Sequence, residues 1–457
     1  MTKRYAIILA AGQGSRMKSK KYKVLHEIAG QAMVEHVVGN VEKLSPEKIV
    51  TVVGFGAESV KEKLGERSEY ALQSEQLGTG HAVLMTKELL EKAEGTTLVV
   101  CGDTPLITAE TLDSLFTEHE KSKAKATILT AHAESPFSYG RIIRDENGHV
   151  ERIVEEKDAN EVERQVQEIN TGTFCFDNKA MFEALAQVGN NNAQGEYYLP
   201  DVIGILQEKG EIVSAYQMKE FKDSIGINDR MALAEATKTM RQRLNRQHMV
   251  NGVTFVNPEA TYIDATVTIG NDTVIEAGVS LKGNTVIGSG CHIGANSEII
   301  DSVIGDDVKV ISSHIEGATV GNGSDVGPFG RLRPNAELAE NVHVGNFVEI
   351  KNAQIKKDSK VGHLTYVGDA EVGENVNIGC GTVFVNYDGK NKHRSIIGDN
   401  VFLGCHTSIV SPVTIGNGAF TAAGSTITKD VPENSLAIAR ETQVNKEQYA
   451  KKLPYSQ

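Results

Sequence analysis

Two groups of residues in this chain have side chains suited to chemistry. The first is His363 with Arg333, Lys351, Tyr366 and Glu349, all in the second half. An imidazole takes a proton near neutral pH, and paired cations hold a phosphate. The second is the run Ala10-Ala11-Gly12-Gln13-Gly14-Ser15-Arg16-Met17, followed much later by Gly102-Asp103-Thr104-Pro105-Leu106. Glycines let backbone N–H groups approach phosphate oxygens, Arg16 adds charge, and a carboxylate such as Asp103 can hold Mg²⁺ against phosphates. Each group has a plainer alternative. A tight strand–helix turn also uses such glycines, and the run lacks the Gly-Lys-Ser/Thr ending of a P-loop and the last glycine of a dinucleotide fingerprint. Asp103 equally suits the cap of a following helix. A solvated polar face is the usual alternative for His363, which the convergence of two cations, a Tyr and a carboxylate on one edge disfavours.

What brings the His363 group together is a repeat. From about Ile269 to Ile427 an aliphatic residue recurs at almost every sixth position, as in Ile269, Ile275, Leu281, Ile287, Ile293 and Ile299, and again in Val326, Leu332, Leu338, Val344 and Ile350. A period of six fits neither a helix nor a two-faced strand. It fits a hexapeptide β-helix, whose aliphatic side chain points to the axis while small and polar residues turn the corner. A β-sandwich is the alternative, but it holds no fixed short period. Three repeats close one coil, so residues three repeats apart stack about 4.8 Å apart. Counting from Val344 through Val361, Ile378, Leu403 and Thr421, the residues two places on are Asn346, His363, Cys380, Cys405 and Ala423. They should form one column, and small residues beside a His leave a groove with room for a long thioester arm. The count treats Val385–Ile396 as one repeat carrying an inserted loop, Asn386–Ser395, with Lys390, Lys392, His393 and Arg394. In the neighbouring column Arg333 stacks on Lys351, and Glu349 and Tyr366 precede stacked aliphatics.

The first half alternates strand and helix patterns: strands at Tyr5–Leu9, Ile49–Val53 and Thr97–Cys101, helices near Val34–Leu44 and Glu58–Leu64. That is an α/β doubly wound layout with ligands at strand C-termini. Lys3 and Arg4 before Tyr5–Ala11 faintly suggest a secretory signal, but the apolar run is short and flows into the glycine-rich segment, so a buried parallel strand is expected. Arg230–Met249 reads as a linker helix, or equally as the last helix of the first domain. The expected division is 1–229, a linker helix at 230–250, and 251–457. At 457 residues the chain exceeds one core, and no apolar run is long enough to span a bilayer. A formal charge of −13 disfavours nucleic acid or an anionic membrane as partner, so sites for anionic substrates must be locally basic. Five scattered cysteines without a CxxC indicate neither a zinc site nor a disulfide framework, and point to the cytoplasm.

The glycine loop, Lys23-Val24-Leu25, Gln76-Leu77-Gly78-Thr79-Gly80-His81-Ala82 and Gly102-Asp103 together resemble sugar-nucleotide pyrophosphorylases. Tyr139-Gly140-Arg141-Ile142, Ile153-Val154-Glu155, Ile169-Asn170-Thr171-Gly172, Gly195-Glu196-Tyr197-Tyr198 and Gly226-Ile227-Asn228-Asp229-Arg230 extend the likeness over nearly the whole chain. They resemble the bacterial family of bifunctional N-acetylglucosamine-1-phosphate uridylyltransferase/glucosamine-1-phosphate acetyltransferases. The second half is similar to the left-handed parallel β-helix of hexapeptide acyltransferases; the hand comes from the resemblance.

The resemblance implies acetylation of glucosamine-1-phosphate with acetyl-CoA, then uridylyl transfer from UTP to N-acetylglucosamine-1-phosphate, giving UDP-N-acetylglucosamine and pyrophosphate. It implies that Leu9, Ala11, Gly12 and Arg16 line the UTP site with Lys23 on the phosphates. Gln73, Gln76, Gly78 and Thr79 would read the uracil, Gly140, Glu155, Asn170 and Tyr197 would hold the sugar, and Asp103 and Asn228 would bind Mg²⁺. In the second half it implies His363 as general base. Arg333, Lys351, Tyr366 and Asn377 would hold glucosamine-1-phosphate, and Cys380, Asn386, Tyr387, Cys405, Ala423 and Arg440 would contact acetyl-CoA. It also implies a homotrimer in which the inserted loop and the C-terminal tail complete a neighbour's site. Two departures stand out. The family usually has Pro before Lys23, where this chain has Tyr22, so the loop is expected to enter that turn differently. Cys380 and Cys405 replace the common Ala and Ser, and their register puts them within disulfide reach. A single-function nucleotidyltransferase with a structural β-helix is the alternative; the His363 column discriminates, since a scaffold has no need of it. A non-enzymatic scaffold or sugar-binding protein would leave Asp103, Asn228 and the glycine loop unexplained.

Overall fold

The apolar run Arg4–Ala10 is the strand from which the first half is built. Buried on both faces, it pairs in parallel with Lys48–Val53 on one side and Thr96–Cys101 on the other. In the computed structural model, which describes residues 2–136 and 139–454, the sheet runs in the order Val213–Gln217, Ala126–His132, Glu168–Asp177, Thr96–Cys101, Arg4–Ala10, Lys48–Val53, Glu69–Leu72. The helices Met33–Glu42 and Ala57–Leu64 follow the first and second strands of the α/β pattern, close to the expected spans. One feature differs from a purely parallel reading: Glu168–Asp177 runs antiparallel to both its neighbours and carries the hairpin Gly140–Arg144/Val150–Val154 at its edge. Alternating strand and helix patterns give no direction for a strand reached through a hairpin. Two apolar clusters, one including Ile8, Val38 and Leu98 and the other Ile7, Val52 and Val99, fill the two faces.

The hexapeptide period winds into a left-handed parallel β-helix of three sheets. Each coil pairs with the next exactly as the count requires: Val344 with Val361, Val361 with Ile378, Ile378 with Leu403, and Leu403 with Thr421. The inward side chains form one continuous core, with Ile275, Leu281, Ile299, Ile350 and Ile409 fully buried. Burying each contributes about 1.5–3 kcal/mol, which is how strands of two or three residues persist. The corners are turned largely by Asn, Asp and Gly at positive φ, for example Asn296, Asn335, Asn341 and Asn375, residue types that tolerate the left-handed region.

The chain divides into two units, Met1–Met240 and Arg241–Gln457. The helix Arg230–Val250 crosses that boundary. Its second half packs on the first coil: the Asn245 amide donates to the carbonyls of Pro258 and Thr261, and Arg241 lies over the Tyr262 ring.

Candidate active sites

In the first unit the ends of the strands Arg4–Ala10 and Thr96–Cys101 open onto a cavity of about 240 Å³. It is lined by the expected Leu9, Ala11, Gly12, Lys23, Gln73, Gln76, Gly78, Thr79 and Asp103, and also by Cys101 and Glu196, to which the sequence reading gave no role. At one end Gln73 donates to the Gly78 carbonyl at 3.1 Å, and Gln76 reaches the Ala11 carbonyl at 3.5 Å. The Thr79 hydroxyl accepts from the Leu199 N–H at 3.0 Å. Tyr197 ties this wall to its own segment, its N–H donating to Leu77 and its carbonyl accepting from Gly80. Arg16 sits in the exposed turn Ser15–Met17 and does not line the cavity.

At the other end the Lys23 ammonium lies 2.5 Å from Asp103 Oδ2 and 3.0 Å from Asn228 Oδ1. The two oxygens are brought together by the backbone, because the Ile227 N–H donates to the Asp103 carbonyl at 2.9 Å. Asp103 does not cap the next helix; Thr108 does, its hydroxyl accepting from the Thr111 N–H. Burial and the Asp103 carboxylate push the neighbouring Cys101 thiol up to about 12, so it stays protonated and is a poor nucleophile. Gly140 opens the hairpin, Glu155 follows its second strand, and Asn170 lies on the adjoining strand Glu168–Asp177. Gly140 pairs with Asn170, and a Cβ on Gly140 would lie 3.0 Å from Glu155 Oε1. Burial, then the Asp158 and Asp201 carboxylates, hold the Glu155 carboxyl above its ordinary range.

Tyr22 was expected to alter the entry to Lys23. It does not: its backbone sits at φ −60° and ψ 145°, values a proline would also take.

In the second unit Asn346 and His363 are register partners, and Cys380, Cys405 and Ala423 continue their corner through the paired coils. His363 is exposed, and its Nδ1 lies 2.7 Å from Asn346 Oδ1. With the Asn346 oxygen as acceptor, the proton sits on Nδ1 and the lone pair is left on Nε2. On the adjoining sheet Glu349 pairs with Tyr366, and Arg333 Nη1 lies 2.9 Å from Glu349 Oε1. Lys392, from the inserted loop, faces Lys351. That contact, with Arg333 nearby, holds the Lys351 ammonium below the ordinary lysine range. Arg333 is held by Glu349, and Lys351 and Lys392 crowd beside it, an excess of positive charge that makes a site for an anion. Tyr366 lies over Gly368, where a Cβ would strike its hydroxyl.

Asn386 is buried. Its amide donates to Asp369 Oδ2 at 2.5 Å and lies 3.5 Å from the Tyr366 hydroxyl, while Asn352 donates to the other oxygen of Asp369. Asp369 was missed by motif reading, although it occupies the turn position one coil on from Asn352 and could have been found by the same count. Asn377 lies on the sheet that carries His363, beside Lys360 and Phe402. Tyr387 is exposed at the start of the loop. The Arg440 stem passes 3.8 Å from where a Gly424 Cβ would be, next to Ala423. Cys380 and Cys405 are both free thiols.

Residues 5–242 match the nucleotidyl transferase family model, and residues 266–300 and 394–429 match the bacterial transferase hexapeptide (six repeats) model. Among curated proteins, one named bifunctional protein GlmU from Enterococcus faecalis is 64% identical over 455 residues, covering 100% of this chain and 99% of its own. Proteins of the same name from a Geobacillus species and from Listeria monocytogenes are 59% and 58% identical, each covering at least 99% of both chains.

Proposed function

The chain belongs to the family of bifunctional GlmU proteins and carries two transferase activities, acetylation of glucosamine-1-phosphate and uridylyl transfer to N-acetylglucosamine-1-phosphate; we propose that the His363 corner performs the first and the Asp103 cavity the second. The proposed division of labour follows 1–229 and 251–457, with the helix 230–250 between them.

The observation that carries the acetylation half is the His363–Asn346 pair beside three cations. The glucosamine-1-phosphate phosphate takes Arg333, Lys351 and Lys392, with Tyr366 and Asn377 toward the sugar. His363 Nε2 removes a proton from the 2-ammonium, whose freed lone pair attacks the thioester carbonyl of acetyl-CoA; coenzyme A leaves as the thiol. Cys380, Cys405, Ala423 and Arg440 line the path of the pantetheine arm, and Asn386 and Tyr387 begin the loop over it. A structural β-helix would not need an oriented, exposed base there.

In the cavity, Gln73, Gln76, Gly78 and Thr79 take the uracil, whose edge offers both donor and acceptors. Gly140, Glu155, Asn170 and Tyr197 take the sugar, and Arg16, in the exposed turn after the glycine loop, adds positive charge on the UTP side. The lining residues include no activated nucleophile, so the sugar phosphate's own oxygen attacks the α-phosphorus of UTP and pyrophosphate departs. Asp103 and Asn228 fit a hard divalent ion: their oxygens already converge on one cation, the Lys23 ammonium. Mg²⁺, when bound there, neutralises phosphate charge. Lys23 is then free to turn to the phosphates.

This gives a direct test. Mn²⁺ titrated without nucleotide and followed by electron paramagnetic resonance should bind Lys23→Met about tenfold tighter than wild type, a difference of about 1.4 kcal/mol. Equal affinities would mean the ammonium does not occupy the metal position.

We also place the chain in a homotrimer. Phe329 and Phe347 stack at 5.4 Å on the corner beside His363, followed by Leu364, and all three are more than half exposed. They hold turn positions at φ 61°, 55° and 47°, which bulky residues seldom take. A neighbouring copy is the natural cover. Among the described residues no helix is long and apolar enough to cross a membrane, and we place the enzyme in the cytoplasm with its nucleotide and thioester substrates. Incubation with glucosamine-1-phosphate, acetyl-CoA, UTP and Mg²⁺, leaving out one component at a time, tests the whole assignment. Without UTP, N-acetylglucosamine-1-phosphate should accumulate; without acetyl-CoA, nothing should form.

A further inference from the structure

Tyr22 does not line the cavity, yet it touches the elements that build it. It opens the short turn Lys23–Leu25 in an extended conformation that tyrosine has no intrinsic need to adopt. Among the described residues its N–H donates no backbone hydrogen bond that would enforce those angles. Its carbonyl accepts from the Leu25 N–H at 3.0 Å, which closes the turn, and the remaining contacts are made by the side chain. The ring is seated on Gly56, where a Cβ would overlap it, and Gly56 itself is at φ 88°. The ring is half-buried against the core behind the first strand and meets Phe55 edge-on, with centroids 6.0 Å apart at 73°.

The same short segment reaches the cavity on its other side. A Cβ on Gly54 would lie 2.5 Å from the Ala11 carbonyl and 3.0 Å from Gln76 Nε2. One loop is thus clasped between the base end of the cavity and the turn that carries Lys23. Lys23 in turn must place its ammonium to within a few tenths of an ångström of Asp103 and Asn228 or of a phosphate.

We propose that Tyr22 is a positioning residue for uridylyl transfer: its ring, docked on Gly56 beside Phe55, fixes the backbone from which Lys23 reaches into the cavity. This rests on the assignment of the cavity as the uridylyl site. The argument separates two things that the ring supplies, buried area and a fixed φ. Proline supplies the second without the first, because its ring fixes φ near −65°.

Three variants test it. Tyr22→Ala should lower kcat/KM for uridylyl transfer by about tenfold, since misplacing a catalytic group by about 1 Å can cost up to about 10²-fold. Tyr22→Phe keeps the ring and should stay within about twofold of wild type. Tyr22→Pro should melt as early as Tyr22→Ala, having lost the same packing, yet regain most of the rate. Acetyl transfer, measured on the same preparations, should be unchanged throughout. If Tyr22→Pro is as slow as Tyr22→Ala, or if Tyr22→Ala turns over like wild type, the positioning role is wrong. Absence of uridylyl transfer in the wild-type chain would instead overturn the assignment of the cavity.

Discussion

Alanine at Asp103 should remove uridylyl transfer, by about 10²–10³-fold or more, while acetyl transfer continues at the wild-type rate. The carboxylate is one of two hard oxygens facing the cation position, and the Asn228 carbonyl alone carries no charge to hold Mg²⁺ there. The fold should survive. Removing Asp103 leaves the Lys23 ammonium, about 14% exposed, without its carboxylate. A lost charge-assisted bond of this kind costs about 1–3 kcal/mol, against about 5–15 kcal/mol of domain stability. Near-normal UDP-N-acetylglucosamine synthesis by the purified variant, at saturating Mg²⁺, would remove Asp103 from the mechanism.

The second large effect lies in the other unit. His363→Ala should slow acetyl transfer by about 10²–10⁴-fold, roughly 3–5 kcal/mol, with uridylyl transfer untouched. The reason is chemical: an ammonium has no lone pair, and in the proposed mechanism the exposed His363 imidazole takes its proton. His363 is exposed, and among the described residues its ring's hydrogen-bond partner is the half-buried Asn346 side chain, so its removal costs little packing. Equal losses in both activities would point to misfolding. An unchanged acetyl transfer rate would mean that another group takes the proton.

The His363 corner was legible in the repeat because a β-helix is nearly one-dimensional. One inward aliphatic per repeat fixes the register, and the register fixes which distant residues stack. The pairing of Asn346 with His363, and of Glu349 with Tyr366, is that arithmetic made physical. What it did not give is the side-chain network, such as Asp369 gripping both Asn352 and Asn386, or Lys392 folding back on Lys351. Asp369 itself follows from the count, but its grip on Asn386 and the Lys392 contact depend on the path of a loop that belongs to no repeat.

The first unit was legible in a different way. Strand and helix patterns located the elements, and motif order located the cavity, but no local pattern shows that Asn228 returns to Asp103. That meeting depends on the sheet order and on one backbone hydrogen bond from Ile227. The antiparallel strand Glu168–Asp177 is silent in sequence for the same reason: its alternation is the same in either direction. Tyr22 misled because a residue's identity was taken to determine its backbone. The conformation that a proline ring would impose is here imposed by a neighbour, Gly56, with no side chain of its own.

The central claim is that two independent sites act in sequence through a free intermediate. Purified Asp103→Ala and His363→Ala should be mixed with glucosamine-1-phosphate, acetyl-CoA, UTP and Mg²⁺, and UDP-N-acetylglucosamine followed over time. Each variant alone should form almost none, and the mixture should form it readily, with N-acetylglucosamine-1-phosphate passing from one protein to the other. A mixture no more productive than the sum of its parts, from variants that each keep their remaining activity, would contradict the account.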